Sequence, residues 1–304
     1  MRHLINPLVS GVESPPIAEA STWVLKEKFG SGKPLIDLCQ AVPGYPPPKE
    51  LRDFIAGVAK EPNSAFYTNV EGDPNLRSAL ATDMSNVYDA FICSDDVLIS
   101  QGCNQAFFLT MLAIKSINAS VILPLPWYFN HKMTLDMLGI KVIPLPCTKQ
   151  DNMLPDVTLI EKLVQNDTRA IVLVSPNNPT GAIYPNSLLK DVLSICNKHG
   201  LYLVIDETYR DFIAPNSHAP HSLFSDVQWR ESGVIHLYSF SKVFSMTGYR
   251  VGAVVASSQF ITEVSKVMDC VSICSSNISQ QAAIFGLQNL KDWRRSKCNL
   301  MMKR

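Results

Sequence analysis

Charge of either sign is missing in excess: 27 Lys and Arg stand against 27 Asp and Glu in 304 residues. A formal net charge of zero supplies no electrostatic reason to take nucleic acid or an anionic membrane as the main partner. Long hydrophobic runs are missing too. The longest apolar stretches, such as 121–125 and 251–256, have the length of strands, well short of the ~20 residues that span a membrane. The eight cysteines, Cys39, Cys93, Cys103, Cys147, Cys196, Cys270, Cys274 and Cys298, include no CxxC pair. Cys270 and Cys274 have the spacing of one helix face, but no second Cys/His cluster completes a zinc site, and the six histidines are scattered. Free thiols in a reducing compartment, and no metal, are the expectation. The N-terminal MRHLINPLVSGVESPP lacks the apolar core of a secretory signal and the Arg/Ser amphipathic character of a transit peptide, so a cytoplasmic protein is expected.

What is present is a globular composition, 46% apolar and 18% charged, which excludes a disordered or low-complexity chain. At about 150 residues per domain, the length suggests roughly two domains. Residues 1–45 read as an irregular arm. Pro43, Pro46, Pro47 and Pro48 mark an extended segment before a helix, because proline fixes φ and donates no backbone hydrogen bond. A helix is expected over 51–60, then another capped by Asp73 with Pro74 at its first position. Beyond it the runs DVLIS, SVILPL, KVIPL, RAIVLV, LYLVID, GVIHLYS and RVGAVVA mostly alternate with helix-length stretches at 104–116, 130–138, 158–166 and 187–198. Strands this apolar are buried on both faces. The alternation predicts an α/β fold over 46–285, with a mostly parallel seven-stranded sheet between helices. Ile284, Leu287, Leu290, Trp293, Leu300 and Met301 then recur near a helical period, predicting a helix through 286–304. The last fourteen residues hold six basic groups against the single acid Asp292, the pattern of a solvated helix face. No Gly, Asn or Pro stop marks the end at Met302, Lys303 and Arg304, so the chain is expected to end inside an element.

In an open α/β sheet, ligands gather at the carboxyl ends of the strands. DVLIS is followed by Gln101-Gly102-Cys103-Asn104-Gln105, a glycine turn into a helix and hence a ready anion site. SVILPL is followed by Trp127 and Tyr128, and RAIVLV by Ser175-Pro176-Asn177-Asn178-Pro179-Thr180-Gly181. LYLVI runs into Asp206-Glu207-Thr208-Tyr209, and VIHLY into Ser239-Phe240-Ser241-Lys242, with Gly248-Tyr249-Arg250 beyond. Taken singly these are turns, core aromatics, a helix cap and a surface lysine. Together they put an anion cradle, an aromatic wall, Asn, Asp, Tyr, Lys and Arg on successive strand ends. A lysine amine attacks aldehydes once its pKa is lowered. A phosphate on that aldehyde would use the glycine turn, Ser239 and Arg250. A carboxylate would keep a ring nitrogen protonated, an aromatic would stack on the ring, and Asn and Tyr would donate to its phenolic oxygen. That is what pyridoxal phosphate requires.

The motifs SPNNPTG, VIDETY and YSFSKVFSMTGYRVG, in this order, with YTNVEGDPNLRSAL and ISQGCNQAFFLTML, resemble the class I/II pyridoxal-phosphate-dependent aminotransferases of fold type I. The similarity runs from about Leu35 to the last residue, and GCNQAF, PWYFN and SICSSNISQQAA make the chain most similar to the aromatic and kynurenine-type branch. The resemblance implies a large cofactor-binding domain over 46–285, with residues 1–45 as an N-terminal arm and small-domain segment. It makes Lys242 the amine that bonds the cofactor and then moves the substrate proton, and Asp206 the partner of the ring nitrogen. Tyr209 and Asn178 would hydrogen-bond the phenolic oxygen. Tyr128 would stack on the ring, with Trp127 as the neighbouring candidate. Gly102, Cys103, Asn104, Ser239 and Arg250 would hold the phosphate, and Tyr67 would reach the phosphate of a partner subunit in a homodimer. Ala41 and Asn178 would meet the substrate.

The implied reaction moves an amino group between an amino acid, aromatic or neutral by preference, and a 2-oxo acid in a ping-pong cycle. The same motifs serve lyases, decarboxylases and synthases of this fold, and an inactive cofactor-binding fragment is a further reading. Two departures matter. Ala41 stands where the family usually has glycine, and alanine resists φ > 0. Family members also continue past the helix containing Trp293 and take from there the arginine that clamps the substrate carboxylate, so a truncated chain with an incomplete small domain, 286–304 being its first helix, is expected.

Overall fold

The computed structural model describes residues 3–24, 29–30, 32–213 and 219–303. Arg304, counted above with the basic end of the chain, lies outside the described residues. Strands β1 (Val97–Ser100), β2 (Ser120–Leu125), β3 (Lys141–Pro146), β4 (Thr168–Val174), β5 (Tyr202–Asp206), β6 (Val234–Ser239) and β7 (Gly252–Val255) form one sheet in the order β1-β7-β6-β5-β4-β2-β3. β7 runs antiparallel to both neighbours and the other pairs are parallel, so the mostly parallel seven-stranded sheet is as expected. The helices are α1 (Pro7–Ser10), α2 (Pro16–Val24), α3 (Lys49–Val58), α4 (Pro74–Tyr88), α5 (Cys103–Ile114), α6 (Phe129–Met137), α7 (Val157–Leu163), α8 (Asn186–His199), α9 (Phe240–Val243), α10 (Ser258–Ser272), α11 (Asn277–Asn289) and α12 (Lys291–Met302).

The sheet has two buried faces because successive strand side chains point to opposite sides. Val97 and Ile99, Ile171 and Leu173, and Leu203 and Ile205 enter one core, which α3, α4, α8 and α11 cover with Leu51, Leu76, Val192 and Ala282. Leu98, Ala170, Val172 and Val204 enter the other, which α5, α6 and α10 cover with Phe107, Leu135 and Ile261. At the start of α4, Asp73 accepts from the Asn75 N–H at 2.8 Å and Pro74 follows it, as the sequence indicates.

Three expectations are corrected. The arm is not wholly irregular, since α2 lies within it. The C-terminal period covers two helices, because Leu290 takes φ −110° and ψ 25° between α11 and α12. Ile284, Leu290 and Trp293 all reach the same core across that break, so apolar spacing alone reads straight through it. Cys270 and Cys274 do not share a helix face: α10 ends at Ser272, and Ile273 at φ +62° turns the chain, leaving Cys270 exposed and Cys274 buried. Among the described residues no helix is long and apolar enough to cross a membrane.

Candidate functional site

The carboxyl ends of β1, β2, β4, β5 and β6 open onto a cavity of about 730 Å3. Parallel strands deliver their following residues to one edge, so Cys103, Asn104, Tyr128, Asn178, Asp206, Tyr209, Ser239, Lys242 and Arg250 all line it, far apart in sequence as they are. The segment 38–42 closes the opposite wall, with Ala41 in it. Ala41 is not among the residues with positive φ, so the alanine carries no backbone strain there. Gly102 lies just behind the wall, beneath Arg250. Tyr67 is 76% exposed and does not line the cavity, and neither does Trp127.

Asp206 ends β5 and is 4% exposed. Its Oδ2 lies 3.2 Å from His131 Nε2 and accepts from Cys103 Sγ at 3.5 Å, and its Oδ1 accepts from the Thr208 N–H at 2.9 Å. Burial would push this carboxyl up. The hydrogen bond and charge of His131, with the donors of Thr208, hold it below its ordinary value, so it is an anion. His131 in turn stacks on Phe107 with ring centroids 3.9 Å apart and meets Tyr128 edge-on at 5.2 Å. A buried carboxylate with a fixed orientation suits the protonated nitrogen of an aromatic ring.

The other end of the cavity is built for an anion. No side chain caps α5 at Gly102, so its first amides remain for a ligand. Gly102 has φ +83°, and a Cβ built on it would stand 2.3 Å from Arg250 Nη2. A Cβ on Gly252 would stand 2.8 Å from the Cys103 N, so Gly252 is required for the close approach of β7 to this turn, and Gly102 for the seat of the Arg250 guanidinium. Arg250 is held by the Thr247 carbonyl at 2.9 Å and by Ser241 Oγ at 3.4 Å. Ser239 accepts from the Ser241 N–H at 3.2 Å, so both hydroxyls border the cradle. Gly102→Ala is therefore expected to displace Arg250 and weaken pyridoxal phosphate binding at least about tenfold, a loss of about 1.4 kcal/mol or more, by fluorescence titration. Unchanged affinity would mean that the phosphate lies elsewhere.

Lys242 projects from α9, whose short turn continues β6. Its Nζ donates to the Ala41 carbonyl at 2.5 Å, and burial, then the charge of Arg250, lowers its pKa toward the neutral, nucleophilic amine. Asn178 Nδ2 lies 3.5 Å from Tyr209 OH. Burial raises the Tyr209 phenol, which keeps it protonated and a donor. Tyr128 OH donates to Asn104 Oδ1 at 3.3 Å, setting the ring as one wall. Buried anion, anion cradle, half-buried amine, phenol and amide thus fit pyridoxal phosphate, whose holders would be these residues. No cluster of three or more His, Cys, Asp or Glu capable of holding a metal occurs among the described residues.

Sequence reasoning missed His131, Ser241 and Thr208. His131 lies three residues beyond Tyr128, on the first turn of α6, and that spacing alone places both on one face. It also missed a buried network across the sheet from the cavity. Glu207 Oε2 lies 2.8 Å from His236 Nε2 and 3.2 Å from His221 Nε2, and Tyr88 OH donates to it. The charge and hydrogen bond of His221, then those of His236, outweigh burial and hold the Glu207 carboxyl far below its ordinary 4.5. That contribution to stability is complete above pH 4.5 and fades as the pH falls below it. Burial lowers His236 from 6.5, so acidification below that value also favours the unfolded, protonated form. Both effects have one sign. The unfolding temperature is expected to fall from pH 7 to pH 4, and Glu207→Ala to cost about 3 kcal/mol or more at pH 7, by denaturant titration. A change within about 0.5 kcal/mol would show that the network contributes nothing net.

The family model of aminotransferase class I and II matches residues 33–300. An aromatic aminotransferase of Arabidopsis thaliana is 27% identical over 274 residues, which cover 88% of this chain and 67% of that relative. An aspartate aminotransferase of Pyrococcus horikoshii is 31% identical over 271 residues, 89% of this chain and 68% of its own length. The aspartate aminotransferase of Thermus thermophilus with maleate shares the fold at a TM-score of 0.88 and 23% identity, over 100% of this chain and 77% of that one. The chain spans from 57% to 72% of the length of the curated relatives compared. The chain therefore belongs to the class I and II aminotransferases, enzymes that depend on pyridoxal phosphate and exchange amino groups between amino acids and 2-oxo acids.

Proposed function

We propose that the chain carries the chemical centre of an amino-acid aminotransferase that prefers aromatic or other neutral donors. The observation that carries this reading is the convergence of Lys242, Asp206 and Tyr209 with the Gly102–Arg250 cradle in one cavity. Pyridoxal phosphate, when bound, supplies an aldehyde and a ring that takes up the electron pair left at the substrate Cα. Lys242 is the amine that would hold that aldehyde, and freed by the incoming amino acid it would be the base that accepts the Cα proton and delivers it again. Asp206 holds the ring nitrogen's proton by its charge, and His131 keeps that carboxylate turned toward the ring. Tyr209 and Asn178 donate to the phenolic oxygen, Tyr128 covers one ring face, and Gly102, Cys103, Asn104, Ser239 and Arg250 bind the phosphate.

The donor preference is supported by the cavity's cations and by one relative. Lys242 and Arg250 are the only basic groups lining the cavity among the described residues, and both are committed to the cofactor, while Ile17, Leu38, Val42 and Phe129 offer apolar wall. The Arabidopsis relative is an aromatic aminotransferase. Residues 46–285 form the cofactor-binding unit in this reading, with 1–45 as an arm that contributes Ala41 beside the substrate and 286–304 as the helical segment that follows it. The working form is a cytoplasmic homodimer in which exposed Tyr67 reaches the partner's phosphate. The test is a single half-reaction with phenylalanine and with aspartate, scored by pyridoxamine phosphate and oxo acid. Phenylalanine is expected to convert about tenfold faster at equal concentration. Preference for aspartate would overturn the donor assignment, and release of ammonia or carbon dioxide in place of pyridoxamine phosphate would identify a lyase or decarboxylase.

A further inference from the structure

The segment 206–213 has two faces. Asp206, Thr208 and Tyr209 line the cavity. Arg210 and Asp211 turn the other way, into a buried ionic cluster. Arg210, 3% exposed, donates from Nη2 to Asp83 Oδ2 at 2.8 Å and lies over the Tyr238 ring, 4.3 Å from its centroid. Asp211 accepts from Tyr238 OH at 2.8 Å. Arg294, from α12, closes the cluster. Its Nη2 donates to Asp83 Oδ1 at 2.9 Å and its Nη1 lies 3.2 Å from Asp211 Oδ1. One turn further along α12, Cys298 Sγ donates to the Ile213 carbonyl at 3.3 Å. Two arginines thus balance two aspartates, and α12 grips the far end of the segment that begins at Asp206.

The geometry is more specific than charge balance requires. A guanidinium is a rigid fork, and here its prongs reach acids on two different elements, Asp83 of α4 and Asp211 of the turn. Tyr209 is directly bonded to Arg210, and its carbonyl accepts the Phe212 N–H at 3.0 Å, so the turn moves as a unit. Without Arg294, Arg210 would be the one cation left to both Asp83 and Asp211, with the Tyr238 hydroxyl still on Asp211. The pull on Arg210 would then shift its neighbour Tyr209, whose phenol stands only 3.5 Å from Asn178. We propose that Arg294 is a positioning residue for the reaction: by bridging Asp83 and Asp211 it sets where Tyr209 presents its hydroxyl in the cavity, and so couples the seat of α12 to the cofactor site. This rests on the reading of Tyr209 as a donor to the cofactor's phenolic oxygen.

The test compares the wild type with Arg294→Gln and Asp211→Asn, each loaded with pyridoxal phosphate, with Arg295→Gln as an exposed control on the same helix. The readout is the pH midpoint of the visible absorbance band that requires Lys242. Asp206, Tyr128, Tyr209 and Arg250 share the cavity with Lys242, and none of them is altered in these variants. A weakened donor to the phenolic oxygen makes the group at Lys242 more basic, so the midpoint is expected to rise by about half a pH unit or more in Arg294→Gln and Asp211→Asn, and to stay put in Arg295→Gln. A lowered unfolding temperature with an unmoved midpoint in the soluble variants would make Arg294 a structural residue and overturn the proposal alone. Absence of a Lys242-dependent band in the wild type would overturn the cofactor reading, and the proposal with it.

Discussion

Lys242→Ala is expected to lower turnover about a thousandfold or more, because moving the Cα proton by a placed base is worth about 10²–10⁴-fold by itself and no other lysine among the described residues lines the cavity. The amine is suited to that task by where α9 begins. Ser239 ends β6 and its Oγ accepts from the Ser241 N–H, which starts a helix of only four residues and throws Lys242 over the cavity. There burial, followed by the charge of Arg250, lowers its pKa, so a larger share of the amine is neutral at pH 7. The fold should be indifferent, since removing a half-buried amine also removes its desolvation cost. The cradle of Gly102 and Arg250 is untouched, so the variant should still bind pyridoxal phosphate. Steady-state turnover with phenylalanine checks this. A variant within tenfold of the wild type would mean that another group moves the proton.

Asp206→Asn is expected to slow the half-reaction by about 10²–10³-fold, the usual cost of one preorganised charge-stabilising contact. The amide nearly preserves the shape of a side chain that is 4% exposed, but it cannot balance a protonated ring nitrogen. His131 Nε2 at 3.2 Å and the Thr208 N–H at 2.9 Å would remain, so the position is kept and the charge is lost. Cofactor affinity should change much less than rate, because the phosphate cradle is a separate part of the cavity. Stopped-flow rates at saturating amino acid separate the two. A rate within threefold of the wild type would remove Asp206 from the reaction.

The site was legible where the fold does simple work. Gly102, Tyr128, Asn178, Asp206 and Lys242 each follow an apolar strand, and a parallel sheet carries all such residues to one edge. His131 was not legible in that way. It enters from the side of α6 and becomes part of the site only because Phe107 stacks on it from α5. The wall made by 38–42 is also invisible to periodicity, since it has no regular element and its place depends on contacts with Lys242. The Glu207 network joins Tyr88, His221 and His236 from three distant parts of the chain, and nothing in local spacing links them. The break at Leu290 was hidden for the opposite reason, because both helices bury apolar residues in one core.

The most direct test of the account is chemical capture. The purified chain is mixed with pyridoxal phosphate, reduced with borohydride, digested, and its peptides are weighed. The account predicts one cofactor mass per chain, on the peptide containing Lys242, and none when the lysine is replaced. A cofactor mass on any other lysine, or none at all in the wild type, would contradict it.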